Sequence, residues 1–415
     1  MAQSVTRDNL NPNPSVHIAL RLARDHNMEM EKVLLQELKE GAVRKVLAGE
    51  DFSSGLVALY TLAVSASCND PTQVTANGNT INLIEILQEK LTNEIKHIEA
   101  TTFPLSSYYE VSLDVLTLCV MNSPISQCKI QVLIDAVLKD KFIYGLDFSV
   151  DTGAVAALAL RCVKDTGNNM KTTDLENALL KVLTQILHHV KSDGTIGNRY
   201  STGLAIQLVT RAKRVGRVHV LINSSSTGKA LSVNSDLTPT GSWNQSKSLE
   251  KLLSEIHKGS FSNPAAASQI VPSLEGRTYL DVTRLNCSAD QDNLTLPGTS
   301  TSSPPVTKGV PITVEYNIAD TLMHTFSDAV NMTVPKGSPL IQVLEAAQHL
   351  YPVRFSFSVT MTKWGPSLTR IRGLSASRED RTYWKLLNGS KPLDQGIGDY
   401  RPVNGERIFA KLSHY

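Results

Sequence analysis

The sequence predicts a helical α/α barrel followed by a small β-rich α+β domain, joined by a flexible linker. Three observations predict it. Residues 16–290 carry apolar residues at helical spacing in a recurring pattern, residues 290–310 are rich in Ser, Thr and Pro, and from Val310 the apolar period changes to two. A chain of 415 residues also exceeds one ordinary domain. The expected boundaries are 1–289 for the helical domain, 290–309 for the linker and 310–415 for the small domain.

The helical part opens with 16–22 and 33–47, where apolar residues recur every three to four positions and Gly41 and Gly49 punctuate. A run of small and branched apolar residues followed by a polar loop then recurs at 55–68, 113–121, 154–163 and 203–212. Leu62, Leu118, Leu160 and Leu208 mark it, at steps of 56, 42 and 48 residues. Such a step holds two helices and two loops. Alanine and glycine let these helices be approached on several sides. Repeated hairpins either stack openly or close into a barrel, and the uneven step favours closure. The linker follows, with Asn293-Leu-Thr-Leu-Pro-Gly-Thr-Ser-Thr-Ser-Ser-Pro-Pro305 unable to bury a core. Residues 311–316 and 355–361 alternate as half-buried strands do, and 406–412 reads as a last strand. Residues 338–350 form one amphipathic helix, with Ser338 and Pro339 as cap and first turn.

Charge excludes some functions. Lys plus Arg number 41 and Asp plus Glu 39, a net charge of +2. That balance argues against a dedicated nucleic-acid binder, which needs a basic stripe. No stretch approaches 18 uninterrupted apolar residues, so no membrane-spanning helix is expected. The first residues, Met1-Ala-Gln-Ser through Asn11-Pro-Asn-Pro14, lack the apolar core of a signal peptide. The chain is then either intracellular or begins after a cleaved signal. Six Asn-x-Ser/Thr sequons, at Asn223, Asn244, Asn286, Asn293, Asn331 and Asn388, favour the second, as do the cysteines. These are Cys68, Cys119, Cys128, Cys162 and Cys287, without Cys-x-x-Cys spacing or a histidine to complete a zinc set. Cys119 and Cys162 end similar apolar runs. A disulfide between them is feasible if their helices are neighbours; two buried free thiols fit the same runs.

Catalytic signatures are sparse. There is no Gly-x-Ser-x-Gly elbow, phosphate-binding glycine loop or His-Glu-x-x-His. His188 and His189 are adjacent on a helix, about 100° apart, and read as surface residues. Asp151 opens one helix and Glu110 precedes another. Facing carboxylates in a helical barrel serve glycosidases, whereas single acids at helix starts simply answer the helix dipole. Two loops feed helices, Phe148-Ser-Val-Asp-Thr152 and Asp193-Gly-Thr-Ile-Gly-Asn-Arg-Tyr-Ser-Thr202. Each puts hydroxyl, amide and carboxylate groups beside free backbone N–H groups. In a barrel of parallel inner helices they gather at one mouth and suit a large, neutral, amide-rich ligand. The alternative is that Asp151, Thr152, Ser201 and Thr202 only cap helices.

Ser149-Val-Asp-Thr-Gly-Ala-Val-Ala-Ala-Leu-Ala-Leu-Arg-Cys162 is similar to the SVDT(A/G)AMAxLAxxC signature of the cobalamin-transport family, which comprises transcobalamin, intrinsic factor and haptocorrin. Gly197-Asn-Arg-Tyr-Ser-Thr202, continuing to Gln207, resembles its GNxYST…ALQ segment. Tyr383-Trp-Lys-Leu-Leu387 and Gln395-Gly-Ile-Gly-Asp-Tyr-Arg-Pro402 resemble its (F/Y)WQ(L/F)L and (E/Q)GxADYxP runs. The likeness covers nearly the whole chain, in order.

The resemblance implies an N-terminal α6/α6 barrel and a small C-terminal β-rich domain with cobalamin between them. It implies ligand contacts at Glu110, Phe148, Ser149, Asp151, Thr152, Asn198, Ser201, Gln269, Ser367, Trp384, Lys385, Leu386 and Leu393. Three depart from the family pattern: Glu110 stands where the family often has Gln, Ser367 where transcobalamin has Tyr, and Lys385 in place of Gln. Phe148 stands where transcobalamin has the histidine that ligates cobalt. No metal ligand from the protein is therefore expected, and Phe148 offers an apolar surface instead. The resemblance also implies Cys68–Cys287 and Cys119–Cys162 bridges, with Cys128 left over. The function implied is a secreted, monomeric cobalamin carrier, not an enzyme, that engages a cell-surface uptake receptor, without nucleic-acid binding or membrane insertion. The rivals are an α/α-barrel enzyme of the prenyltransferase or terpene-cyclase type, from the faint likeness of Asp193-Gly-Thr-Ile-Gly197 to DGS(W/F)G turns, and a helical interaction module.

Overall fold

Asparagine and serine side chains decide where most helices begin. In the computed structural model, which describes residues 12–144, 147–167, 172–214, 243–261, 263–294, 311–362, 365–377, 380–393 and 395–414, the chain divides into two units, Met1–Leu296 and Pro297–Tyr415. The first holds α1 (Pro14–Leu22), α2 (Met28–Ala48), α3 (Ser54–Ala66), α4 (Leu83–Thr101), α5 (Tyr108–Val120) and α6 (Gln127–Leu138). It continues with α7 (Val150–Asp165), α8 (Thr172–His188), α9 (Arg199–Arg214), α10 (Gln245–His257), α11 (Pro264–Ser268) and α12 (Val271–Leu274). Asn13, Asn27, Ser53, Asn82, Ser107 and Ser149 each accept a hydrogen bond from a first-turn N–H. The cap at Asn27 starts α2 at Met28, ahead of the apolar repeat.

The odd-numbered helices form a closed ring. α1 packs on α3, α3 on α5, α5 on α7, α7 on α9 and α9 on α12, while α11 and α12 return to α1. With α11 and α12 counted as one interrupted member, the inner ring has six members among the described residues. α2, α4, α6, α8 and α10 lie outside. Burial follows this division. In α7 every residue from 152 to 160 is buried, whereas α2 buries a stripe through Leu34, Leu38 and Ala42.

The inner helices α3, α5, α7 and α9 run parallel. Gly55 at the start of α3 lies against Glu110 of α5, Gly197 before α9 against Val150 of α7, and Gly203 of α9 against Gln269 and Ile270. Their N-termini thus share one rim. The opposite end is stapled. Cys119 of α5 and Cys162 of α7 are bridged, as are Cys68 beyond α3 and Cys287, with Cα–Cα distances of 6.1 and 6.2 Å. Cys128 is free and exposed in the first turn of α6.

Residues 290–294, placed in the linker by composition, are held on this unit. Arg21 pairs with Glu31 at 2.6 Å and with Asp290. His26 faces Glu31 through Nδ1 at 3.1 Å and Asp290 through Nε2 at 3.5 Å, and its backbone donates to Asn293 at 2.8 Å. Two opposite-charge partners offset the burial of Arg21. Residues 295–310 lie outside the described residues. Two small hairpins interrupt the helices: β1 (Val74–Ala76) with β2 (Asn79–Ile81), and β3 (Ile143–Tyr144) with β4 (Asp147–Phe148).

The second unit holds β5 (Ile312–Asp320), β6 (Ser327–Val334), α13 (Leu340–Leu350), β7 (Phe357–Thr362), β8 (Gly365–Ile371), β9 (Leu374–Ser375), β10 (Thr382–Asn388), β11 (Lys391–Pro392) and β12 (Arg407–His414). The main sheet has the order β11-β10-β12-β5-β6, with β12 and β5 parallel, and β7-β8-β9 form a second sheet. Ile312, Val314, Tyr316 and Ile318 alternate inward along β5 to meet Val343, Leu344 and Ala347 of α13 in one core. At α13 the structure differs from the sequence reading: Pro339 occupies the cap position and no side chain caps the helix. Among the described residues no helix is long and apolar enough to cross a membrane.

His17 makes the helical unit acid-sensitive. It is fully buried in α1, with Nε2 2.7 Å from Ser67 Oγ. Burial, reinforced by the Arg21 charge, pulls its imidazole down to about 3. The unfolded chain binds that proton more readily, so the contribution is complete above about pH 6.5 and is lost as pH falls towards 3. Urea unfolding at pH 7, 5.5 and 4 should show the native protein losing stability faster than His17→Gln, by up to roughly 1.4 kcal/mol per pH unit. Parallel losses would exclude this role.

Candidate functional site

The rim of inner-helix N-termini assembles the polar residues of the helical unit. On α7, Ser149 is the cap: its Oγ accepts from Thr152 N at 3.3 Å and lies 2.9 Å from Thr152 Oγ1. Thr152 is buried, and Asp151 is half-buried in the first turn. On α9, Asn198 Oδ1 accepts from Tyr200 N at 2.8 Å and Ser201 N at 2.9 Å. Its oxygen is committed to the helix, so its amide hydrogens are the groups it can offer outward. Ser201 is buried beside Gly197. On α5, Glu110 sits within the first turn rather than before the helix, and accepts from Ser53 Oγ at 3.0 Å. Gln269 follows α11 and is buried at 7% exposure.

Three residues that the sequence reading did not name as ligand contacts join these. Burial, with the neighbouring Tyr279 phenol and the Asp151 and Glu110 carboxylates adding to it, holds the Tyr109 phenol well above its usual range. Tyr109, Asp151 and Glu110 therefore share one neighbourhood, although they come from α5 and α7. Tyr279 opens a buried 3-10 segment, Tyr279–Arg284, that packs on α1, α3 and α5. Its N–H donates to Gln207 Oε1 at 3.2 Å, and burial pushes its phenol up to about 12. Both phenols stay neutral donors at physiological pH. Gln207 is fully buried on α9, and its Nε2 has no protein partner among the described residues. The Tyr108-Tyr109-Glu110 run was the available signal for Tyr109. Nothing local in the sequence distinguishes Tyr279.

Phe148 lies on β4, paired with Ile143. Its ring covers Gly153, where a Cβ would lie 2.4 Å from Cζ. It also packs 5.4 Å from the His189 ring. His189, read from sequence as a surface residue, is half-buried there, with Nδ1 2.8 Å from Gln185 O. An N–H on Nδ1 would leave the lone pair on Nε2.

In the small unit the expected residues divide. Successive strand residues face opposite sides, so Trp384 and Leu386 share one face of β10 and Lys385 takes the other. Trp384 is buried at 5% exposure, stacked on Phe326 with centroids 6.4 Å apart. Its Nε1 has no protein partner among the described residues. Lys385 stands opposite Lys411 on the other face. Leu393 N donates to Leu386 O at 2.9 Å, joining those two leucines. Ser367 is exposed on β8, one residue after Pro366, which Gly398 approaches closely enough that a Cβ would lie 2.9 Å away.

The fold and rim define a class: a closed α/α barrel with a hydroxyl- and amide-lined mouth, carried on one chain with a small β-rich unit. The chain belongs to the eukaryotic cobalamin-binding proteins, whose family model matches residues 1–218 and 220–308. It is 34% identical to cobalamin binding intrinsic factor of Rattus norvegicus, over all of this chain and 90% of that protein. It is also 34% identical to transcobalamin-1 of Homo sapiens, over 97% and 87%, and 31% identical to transcobalamin-2 of Mus musculus, over 96% and 88%. Among solved structures it is similar to haptocorrin in complex with Cbi, with a TM-score of 0.75 and 30% identity, over 98% of this chain and 94% of that one.

Gly203 is what lets α9 reach Gln269. A Cβ there would lie 2.4 Å from Gln269 O and 3.0 Å from Ile270 Cα, both backbone atoms. Gly203→Ala should destabilise the helical unit by about 1–3 kcal/mol, read as a lowered urea midpoint. An unchanged midpoint would mean the two helices separate freely.

Proposed function

We propose that the chain is a secreted cobalamin carrier that performs no chemistry on its cargo. The observation that carries this reading is the rim itself, in a chain of the cobalamin-binding family. Its hydroxyls, amides and neutral phenols match a corrin fringed with amides, which needs many uncharged donors and acceptors. Gln207 Nε2 and Trp384 Nε1, buried without a protein partner among the described residues, fit such acceptors as well. Ser149, Thr152, Asn198, Ser201 and Gln269 would hold the corrin side chains. Asp151 and Glu110 would orient the rim as well as touch the ligand. Cargo would dock at the barrel mouth, and Ser367, Trp384, Lys385, Leu386 and Leu393 of the small unit would close over it. Closure removes most ligand surface from water and so slows release. Delivery to a cell-surface receptor completes the role.

Purified protein mixed with hydroxocobalamin and desalted should elute red, at close to one corrin per chain. A colourless protein fraction sinks the carrier reading and leaves the enzyme and interaction-module alternatives.

Cobalt should keep a water-derived or exogenous upper ligand, because Phe148 has no lone pair to donate. The visible spectrum of aquocobalamin should then change little towards an imidazole-bound form on binding, and should be the same in His189→Ala. Phe148→His should introduce that shift. A shift in the native protein that His189→Ala abolishes would assign the ligand to His189 instead.

A further inference from the structure

The main sheet of the small unit has one buried face and one face that its own helix does not cover. Along β12, Ile408, Ala410 and Leu412 are buried in the core with α13, whereas Phe409 and Lys411 are half-buried on the opposite face. Strand pairing sets Lys385 of β10 and Ala319 of β5 on either side of Lys411, and Asn317 of β5 beside Phe409. A cavity of about 330 Å³ opens there, bounded also by the 321–326 connection from β5 to β6. Asn317, His324, Phe326, Phe409 and Lys411 are among its walls.

The charge of this cavity is unanswered. Lys385 and Lys411 stand directly opposite each other on adjacent strands, an arrangement that costs stability unless an anion answers both. The ion pairs of this unit among the described residues join Arg354 and Arg372 to Asp328 and Arg407 to Glu315, and neither lysine takes part. The acids around the cavity are already engaged. Glu315 forms a two-point pair with Arg407, at 2.9 and 3.0 Å. Asp320 is buried, and its carboxylate accepts from Leu322 N, Met323 N, Thr325 N and Thr325 Oγ1, at 3.0, 3.0, 3.2 and 2.7 Å. Those bonds shape the 321–326 connection, and Thr321 Oγ1 fastens it to Leu412 O. The Lys411 ammonium is held in place as well. It lies 4.9 Å from the centroid of the Phe409 ring, a cation–π contact that sets the side chain in advance and lowers the entropy lost on binding.

We propose that this cavity is a second binding site, which takes a small organic carboxylate with a planar apolar body. The carboxylate meets the ammonium groups of Lys411 and Lys385, and the planar body lies along Phe326 and Phe409. Its volume stands at the small end of ligand cavities, so it suits a single ring or a fused pair and is far too small for a corrin. A bare inorganic anion would leave the aromatic wall unused. Every contact lies within the small unit, so the inference does not rest on the cobalamin reading. Lys385 is the one residue that the two sites would share.

The test is calorimetric titration of the full chain with 2-naphthoate and with 2-naphthamide, which has the same body without the charge. Protein as purified and protein loaded with hydroxocobalamin are both titrated. 2-Naphthoate should bind saturably in both, with 2-naphthamide about tenfold weaker, the worth of one charge-assisted hydrogen bond. Lys411→Gln should weaken 2-naphthoate by a similar factor and leave 2-naphthamide unmoved, whereas Lys411→Arg should bind as the native chain does. Lys411→Gln should also retain hydroxocobalamin, and its urea midpoint, equal to the native value or raised by relief of the like-charge pair, shows that it folds. Absence of 2-naphthoate binding, equal affinity for the amide, or a folded Lys411→Gln that binds like the native chain each overturn the site. Lys411-dependent binding that disappears on loading with hydroxocobalamin overturns its independence and returns the cavity to the cargo site. A chain that takes up no hydroxocobalamin sinks the carrier reading alone, because Lys411 dependence in the unloaded protein still decides this one.

Discussion

Close parallel approach of the inner helices is the constraint on which the helical unit depends. A ring of six closes only if each member lies within backbone distance of its neighbours at some point. Gly203 meets that demand against Gln269, where even one methyl group has no room. Gly55 leaves space for Glu110, and Gly153 for the Phe148 ring. The same contacts put the helix N-termini side by side. Free N–H groups, capping hydroxyls and carboxamides are thereby concentrated on one rim, and recognition chemistry follows from packing.

Charge is distributed in keeping with that use. The rim contributes neutral groups, with Asp151 and Glu110 as its acids, and burial keeps Tyr109 and Tyr279 protonated. The dense charge network, Arg21 with Glu31, Asp290 and His26, lies where the end of the helical unit returns to α1 and α2. The Cys68–Cys287 bridge reinforces the same return. One region is thus built to hold the chain in place and the other to present uncharged donors.

The small unit reaches its partition by a different rule. Strand alternation sends Trp384 into the core and Lys385 to the opposite face, although the two are adjacent in sequence. A motif read along the chain groups them, and the pleat separates them. The hairpin then returns Leu393 to Leu386.

Much of this was legible in the sequence. The recurring apolar runs of 55–68, 113–121, 154–163 and 203–212 became inner helices, because residues buried on every side must be small or aliphatic throughout. The change of period near Val310 marked the strands, because alternation is local. The loops feeding α7 and α9 were readable as helix starts for the same reason, since a cap acts within three positions of itself, but the capping side chains are Ser149 and Asn198 rather than the Asp151, Thr152, Ser201 and Thr202 that the sequence reading named. What required tertiary structure is everything set by distant partners. No local pattern brings Tyr279 to Gln207, packs His189 on Phe148, or ties residues 290–294 back to Arg21 and His26. Those contacts join residues 41 to about 270 positions apart. They exist only because ring closure brings distant segments of chain together, whereas helix period, strand alternation and capping are decided by neighbours in sequence.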